Sequence, residues 1–539
     1  MKSQKKPDYT SRVPKYRFAE TLEEQEAQLT TNPLMKRLAE SRKRYEGDPH
    51  RPVYHYVNPE NTLNDPNGLC FWQGRWHLFY QAYPPEDPRQ HWGHAVSDDL
   101  IHWRDLPYAI YPNPERCCFS GSALVEDDGE NPRVIAMYHG TEVGNIVAVS
   151  SDPLLLNWEK LTGQPVIPIR SSNGSPLPYN VHDPCIWSKD GRYYSLSNGR
   201  KPWLEMDYLF KSDDLENWEY LHPFIENDRF TLEGDDGACP YFWPIGNGAN
   251  ERHILLFFSH LSGGQYLLGD YDKERDKFVT FSHGKFNFGA SRPGGVHAPS
   301  AAPDGKGGVI VIFNINEGKP VEGWDQIMSL PRRLTLTDSS ELRMEPAGNI
   351  ESLRRDHQQI GAMTLPANRE VVLESIHGNA MELELILDPK DSPMLEVNVL
   401  RSPAKEEFTR IAFYKKRGLK YRPYHPNIRA LSEDSPELKA APVRHESIIS
   451  LDTSYTSMLP DVLSRSPEKA PIHLEDDEPL RLRIFIDRSV VEVFANGKQC
   501  LAVRVYPGRE DSVGVSLRAQ GQDAELVSLD AWQMKNIFT

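Results

Sequence analysis

"SDDLIHW" at residues 97–103, "SDPLLLNW" at 151–158 and "SDDLENW" at 212–218 are three renderings of one short motif, Ser-Asp followed by Leu and closing on Trp. Their starts lie 54 and 61 residues apart, and "GDYDKERDKF" from Gly269 fills the next slot 57 residues on. Between them run short aromatic and β-branched stretches such as "RWHLFYQAY", "RVIAMYHG", "RYYSLSNG", "HILLFFSHL" and "GGVIVIFNI", each bounded by Gly, Pro, Asn or Asp. Self-similarity at a fixed period, with about four short strands per period, marks a β-propeller. Residues 51–345 hold about five such periods, which predicts five blades.

The flanking segments differ in texture. Residues 1–50 are charged, and "TLEEQEAQLTTNPLMKRLAESRKRYEG" places Leu22, Leu29, Leu34 and Leu38 at helical spacing, a docked or partly mobile extension. "NIESLRRDHQQI" within 346–365 reads as a helical linker. From 366 to 539 alternating runs such as "NAMELELILD" and "LRLRIFIDRSVVEVFANG" predict an antiparallel sandwich, with a polar insert from about 430 to 475 as a surface loop. The predicted fold is therefore all-β: a five-bladed β-propeller followed by a C-terminal β-sandwich, with a short N-terminal helical extension.

Bulk properties narrow the partner class. The 539 residues carry a net charge of −16, which argues against nucleic acid or an anionic membrane as partner and favours a small neutral or cationic molecule. The six cysteines show no C-x-x-C spacing and read as buried thiols. "EGDDGA" lacks the ligand ladder of a calcium loop, and His91 and His94 on one strand point to opposite faces, so no metal or cofactor is expected. With no apolar signal segment at the start of the chain as given, the expected location is cytoplasmic, or secreted if a leader was removed. Aromatic content, 11 Trp and 23 Tyr, leans toward a ring-shaped ligand such as a sugar, though aromatics pack cores as well.

The acids fall in register with the repeat. Asp65 in "LNDPNGL" and Asp183 in "VHDPCIW" lie 118 residues apart, two periods, each just before an aromatic strand. The intervening place falls near "FSGSALV" (119–125), the next inside "EGDDGACPYFW", and the fifth at "GGVHAPSAAPDG", a Gly/Pro loop or a cleft position for His297. Equivalent positions of successive blades converge on the mouth of the central channel. Carboxylates meeting in such a cleft suit glycosidic-bond cleavage, where one attacks the anomeric carbon and another protonates the leaving oxygen.

"NDPNG", "FYQAYP", "HWGHAVSDDLIHW", "FSGSALV", "GWDQIMSLPRRLTL" and "IFIDRSVVEVFANG", in this order over residues 50–535, closely resemble the family 32 glycoside hydrolases, the invertase, inulinase and levanase group. The resemblance implies a retaining double displacement on β-fructosides without metal or cofactor, on sucrose, a fructan or a related furanoside. It makes Asp65 the nucleophile and Asp183 the acid that binds sugar hydroxyls and supports the transition state. It assigns Asn64, Gln81, Trp92, Phe119 and Ser120 to substrate binding.

Two departures stand out. His182 occupies the place where the family has an Arg before Asp-Pro, exchanging a permanently charged fork for at most two donors. Ala238 precedes Cys239-Pro240 where the family has its general-acid Glu, and a methyl group delivers no proton. Three resolutions stand open: Asp236, two residues back on a strand with a bulge at Gly237; Glu233, folding back from the loop; or no acid. The first two give a β-fructofuranosidase-like hydrolase or, with a sugar hydroxyl in place of water, a fructosyl transferase. The third gives a sugar-binding protein without catalysis.

Overall fold

The computed structural model describes residues 8–127, 129, 131–171, 173–198, 207–421, 436 and 444–538. Five antiparallel blades follow one another along the first compact unit. Their innermost strands are Leu63–Trp72, Cys118–Glu126, Pro184–Lys189, Ala238–Ile245 and Val296–Pro303. Each packs beside the next around a ring, and the fifth returns to the first, giving the propeller. Backbone bonds from Met328 N–H to the Tyr56 carbonyl (2.9 Å) and from Asn61 N–H to the Gly323 carbonyl (2.8 Å) tie the start of the blade region to its end.

The repeated motif is the turn leaving the third strand of a blade. Asp99, Asp152 and Asp214 each accept two backbone N–H groups from residues two to five positions on, satisfying donors that no strand partner reaches. Leu100, Leu155 and Leu215 all take positive φ there and are buried. The turn is thus specified by an acidic acceptor and an apolar plug, and the extra residue in "SDPLLLNW" is absorbed before the Leu. In the fourth blade Asp272 accepts the N–H groups of Glu274 and Arg275 in the corresponding turn.

The N-terminal segment is docked rather than mobile over its described part. Helix α1 (Leu22–Thr31) is capped by Thr21, and α2 (Pro33–Arg44) by Asn32 with Pro33 at its first position, a strong start signal. Leu34 and Leu38 pack with Leu78, Tyr80 and Ala95 of the first blade, and Leu29 with Val96, Leu106 and Leu154.

The second unit comprises Phe288–Ala290 and Leu353–Lys535. Two antiparallel sheets enclose one aliphatic core in which Leu383, Leu385 and Leu387 alternate against Leu482, Ile484 and Ile486, with Leu395, Val397 and Val399 from the other sheet. Two local expectations fail. The helical linker is only a short turn of 3-10 helix at Ile350–Leu353, and Arg354–Ile360 is a strand paired with Ala524–Met534, tertiary pairing having overridden local propensity. The polar insert contains the strands Ser447–Asp452 and Glu468–Ile472, while residues 422–435 and 437–443 lie outside the described residues. No helix among the described residues is long and apolar enough to cross a membrane.

Buried Asp207, at the start of the third strand of blade three, is pushed up to about 8 by burial and then by the charge of Asp228. Unfolded, the carboxyl ionises near 4. Between these values the folded chain holds a proton that the unfolded chain releases, so stability falls as pH rises, by about 1.4 kcal/mol per pH unit from this group. Asp207→Asn should remove that penalty: its melting temperature should exceed that of the parent by more at pH 8 than at pH 5 in calorimetry.

Candidate active site

Pro184–Lys189, which follows Asp183, pairs in unbroken register, but the other four innermost strands do not begin with regular pairing. Their registers slip between Leu63 and Pro66, Cys118 and Gly121, Ala238 and Tyr241, and Val296 and Pro299. The residues inside these slips include Asn64, Asp65, Phe119, Ser120, Cys239 and His297. An irregularity that places extra residues on one strand re-aims side chains from the sheet faces, here into the mouth of the channel. Two local features make it possible. Gly121 lies so close to the next strand that a Cβ would meet the Met137 carbonyl oxygen at 2.2 Å, and Cys239 takes a positive φ of 52°.

Asp65 and Asp183 meet across one thiol. Cys239 Sγ lies 3.6 Å from Asp65 Oδ2 and 3.5 Å from Asp183 Oδ2, and the Cys239 backbone N–H donates to Asp183 Oδ2 at 3.0 Å. Asp65 Oδ2 also accepts the Ser120 hydroxyl at 2.6 Å and the Gln81 amide at 3.2 Å. Each Oδ2 is therefore anchored. Each Oδ1 is buried, forms no hydrogen bond of proper geometry, and has only a histidine Nδ1 beside it: His297 at 3.2 Å from Asp65 and His182 at 3.0 Å from Asp183. In each carboxylate one oxygen is anchored and the other is buried beside a histidine.

The charges follow from these partners. Burial pushes Asp65 up, but His297 and the Ser120 hydroxyl outweigh it, and the carboxyl ends below its ordinary value even with Asp183 opposing. Burial likewise raises Asp183, yet His182, His139 and the Cys239 N–H hold it well below the carboxylate range. Cys239 is driven far up, by burial first and then by both carboxylates, and remains a thiol. Two ionised carboxylates thus share the site with a neutral S–H.

The remaining expected residues divide. Gln81 bridges Asn64 (3.1 Å), Asp65 and Ser120 (2.8 Å), so Asn64 and Gln81 hold the surroundings of Asp65. Phe119, half-buried, and His182 stand edge to face at the rim. His182 stacks on His139, ring centres 4.6 Å apart, so two imidazoles stand beside Asp183 where one guanidinium was expected by resemblance. Trp92 does not line the cleft: it is fully buried between Phe79 and Tyr138, and its indole N–H donates to the Phe119 carbonyl, so it supports Phe119 and Ser120 from behind. Trp324 is likewise buried, bonded to Asp48 at 2.8 Å. His139, Cys239 and Asn314, which bonds Asn64, were not singled out in the sequence.

The acidic cluster 233–236 resolves into three fates. Glu233 is exposed on the turn. Asp235 is buried and consumed by the hydroxyls of Ser259 and Ser262 (2.6 Å each) and the Leu232 N–H (2.7 Å), so it shapes the loop. Asp236 does not fill the space beside Ala238, which packs on Cys239 and Ala298; both its oxygens engage His260, Oδ1 the backbone N–H (3.0 Å) and Oδ2 the ring Nδ1 (2.7 Å). Among the described residues no group of three or more His, Cys, Asp or Glu is placed to hold a metal.

Paired carboxylates at the mouth of a five-bladed propeller, one stabilised as an anion by His and Ser, define a glycoside hydrolase. The chain belongs to glycosyl hydrolases family 32: residues 55–346 match the family's N-terminal domain and residues 349–533 its C-terminal domain. It is 26% identical to a levanase of Bacillus subtilis, covering 92% of this chain and 72% of the relative. It is also 26% identical to a fructan 6-exohydrolase of Beta vulgaris, covering 90% and 87%. Its fold is similar to that of the crystal structure of fructan 1-exohydrolase IIa from Cichorium intybus, with a TM-score of 0.75 at 22% identity over 91% of this chain and 98% of that one.

Proposed function

We propose that the protein hydrolyses β-fructofuranosidic bonds, in sucrose, a fructan or a related furanoside, with retention at the anomeric carbon. The observation that carries this is the setting of Asp65 beside Asp183 on converging blades: Oδ2 is anchored by Ser120 and Gln81, and Oδ1 stands beside His297. An ionised, oriented carboxylate is the nucleophile a retaining mechanism requires. A carboxylate oxygen of Asp65 bonds to the anomeric carbon as the glycosidic C–O bond breaks and the leaving oxygen takes a proton. Asp183, ionised opposite, stabilises the positive charge that builds on the ring. Water then attacks the anomeric carbon, gives up a proton, and frees Asp65. The names of the relatives, levanase and fructan 6-exohydrolase, support a β-fructoside as substrate.

The test is release of fructose from sucrose, levan and inulin, followed by chromatography. Absence of release from all three, and from 4-nitrophenyl β-D-fructofuranoside, would overturn the proposal in favour of sugar binding without catalysis.

The same geometry sets an acid limb. His297 is the strongest influence lowering Asp65 against its burial. In His297→Gln the carboxyl should therefore protonate at higher pH, and the acid limb of kcat/KM, which reports the free enzyme, should move upward. A profile superimposable on the parent's would exclude this role for His297.

A further inference from the structure

A second cavity lies toward the other end of the innermost strands from the paired carboxylates. The strands of blades three and four, Pro184–Lys189 and Ala238–Ile245, start beside Asp183 and Cys239. Their further residues Trp187, Phe242 and Trp243 line a cavity of about 400 Å³. Leu124 and Pro303, near the far ends of the innermost strands of blades two and five, line it as well, so four of the five blades contribute. Asp183 and Lys189, at opposite ends of one strand, are separated by about 20 Å at ~3.3 Å per residue.

The floor is aromatic and braced. Trp187 packs on Phe242 with ring centres 5.2 Å apart, and the His253 ring stacks on Phe242 at 5.0 Å. Trp243 is fixed by its indole N–H, which donates to the Ala301 carbonyl at 3.0 Å. Lys189 lies over the Tyr271 ring (5.4 Å) and donates to the Lys273 carbonyl (2.9 Å), tying blade three to blade four beside the cavity. Rings held in this way form a contact surface that a ligand need not order.

The polar groups set the ligand class. His253 is 9% exposed, and among the described residues its imidazole makes no hydrogen bond. Burial, and then the charge of Lys273, hold it down at about 4, so at neutral pH it offers one donor and one acceptor. Lys273 and Glu251, both exposed, complete the lining with opposite charges. A purely apolar ligand would leave the imidazole unsatisfied, and an ion of either sign would meet one attractive and one repulsive charge. A neutral ring with an apolar face and hydroxyl edges suits all of these groups: the face lies on the indoles, and the hydroxyls reach imidazole, ammonium and carboxylate. The volume falls within the ~300–1,000 Å³ of small-molecule sites, toward the small end.

We propose that this cavity is a second saccharide site, separate from the catalytic cleft, that takes one neutral sugar unit, free or at the end of an oligosaccharide. The choice of fructosides as its sugars rests on the hydrolase reading above; the site itself needs no turnover.

The experiment is titration calorimetry with fructose, sucrose and levan on the full chain carrying Asp65→Asn, so that sugar is bound without being consumed. The same chain is then titrated with His253→Phe or Ser188→Trp added. His253→Phe keeps a ring on Phe242 and removes both nitrogens. Ser188→Trp adds bulk at an exposed lining position and leaves the core alone. One binding component should weaken by about 10-fold in His253→Phe, the loss of one or two hydrogen bonds, and vanish in Ser188→Trp. A component lost for levan alone assigns the site to a chain end, and one lost for fructose and sucrose as well assigns it to free sugar. Sugar binding indifferent to both substitutions, or no sugar binding at all, overturns the inference. With Asp65 intact, each substitution should leave sucrose hydrolysis at the parental rate. A parent that hydrolyses sucrose while its sugar binding ignores both substitutions keeps the hydrolase reading and loses this site. A parent that hydrolyses no fructoside yet binds sugar sensitively to both keeps the site and loses that reading.

Discussion

Asp65→Asn is expected to abolish turnover, lowering kcat/KM by about 10⁴-fold or more on sucrose and on the aryl fructoside alike. The amide has nearly the shape of the carboxylate and can keep an acceptor oxygen toward Ser120, so the pocket persists while the nucleophile is lost. Leaving-group quality cannot rescue it, because the missing event is formation of the bond to the anomeric carbon. The fold should tolerate the change. Asp65 is ionised below its unfolded value, so it contributes stability above pH 4 that is lost as pH falls through its lowered folded value. Removing the charge forfeits that modest contribution and also the cost of burying it. A melting temperature within a few degrees of the parent, with activity gone, is the expected pair of results. A variant with parental activity would remove Asp65 from the mechanism.

Asp183→Asn is expected to lose about 10²- to 10³-fold in kcat, the usual effect of deleting a preorganised charge aimed at the transition state. The loss should fall on both substrates, since charge develops on the sugar ring whatever leaves. It should also raise KM, because the family resemblance makes this acid a partner of sugar hydroxyls. Asp183 is held low against its burial by His182 and His139 and by the Cys239 N–H, so the asparagine variant leaves two stacked imidazoles without the anion that joins them. Steady-state kinetics on both substrates check this. An unchanged kcat with raised KM would reduce Asp183 to a binding residue.

Much of this site was readable because propeller strands repeat. Spacing of 118 residues between Asp65 and Asp183, with Ser120 at the intervening place, predicted convergence, and His297 was offered at the fifth place as a cleft residue or part of a Gly/Pro loop; the structure brings all four together around Asp65 and Cys239. What spacing cannot convey is a register slip. Trp92 sits in regular pairing with Gln81 on the neighbouring strand, where the ring turns into the core, so its place in a shared motif did not put it in the cleft. Asp236 beside Ala238, by strand alternation with a bulge at Gly237, was one of three open readings; the strand begins only at Ala238, Gly237 takes a φ of 58°, and Asp236 turns to His260 instead.

The sequence by itself determined the class of fold, because blade turns need an acidic acceptor and an apolar plug at fixed intervals and strands need alternating burial. It also set Asp65 and Asp183 at equivalent blade positions, which converge by symmetry, while their expected roles came from the resemblance. Only the tertiary structure decided which carboxylate oxygens are anchored and which stand beside a histidine, and that His139 stacks on the His182 already read in the sequence. Those features depend on local breaks in pairing and on contacts between neighbouring strands, and a repeat encodes where a strand begins, not where it slips.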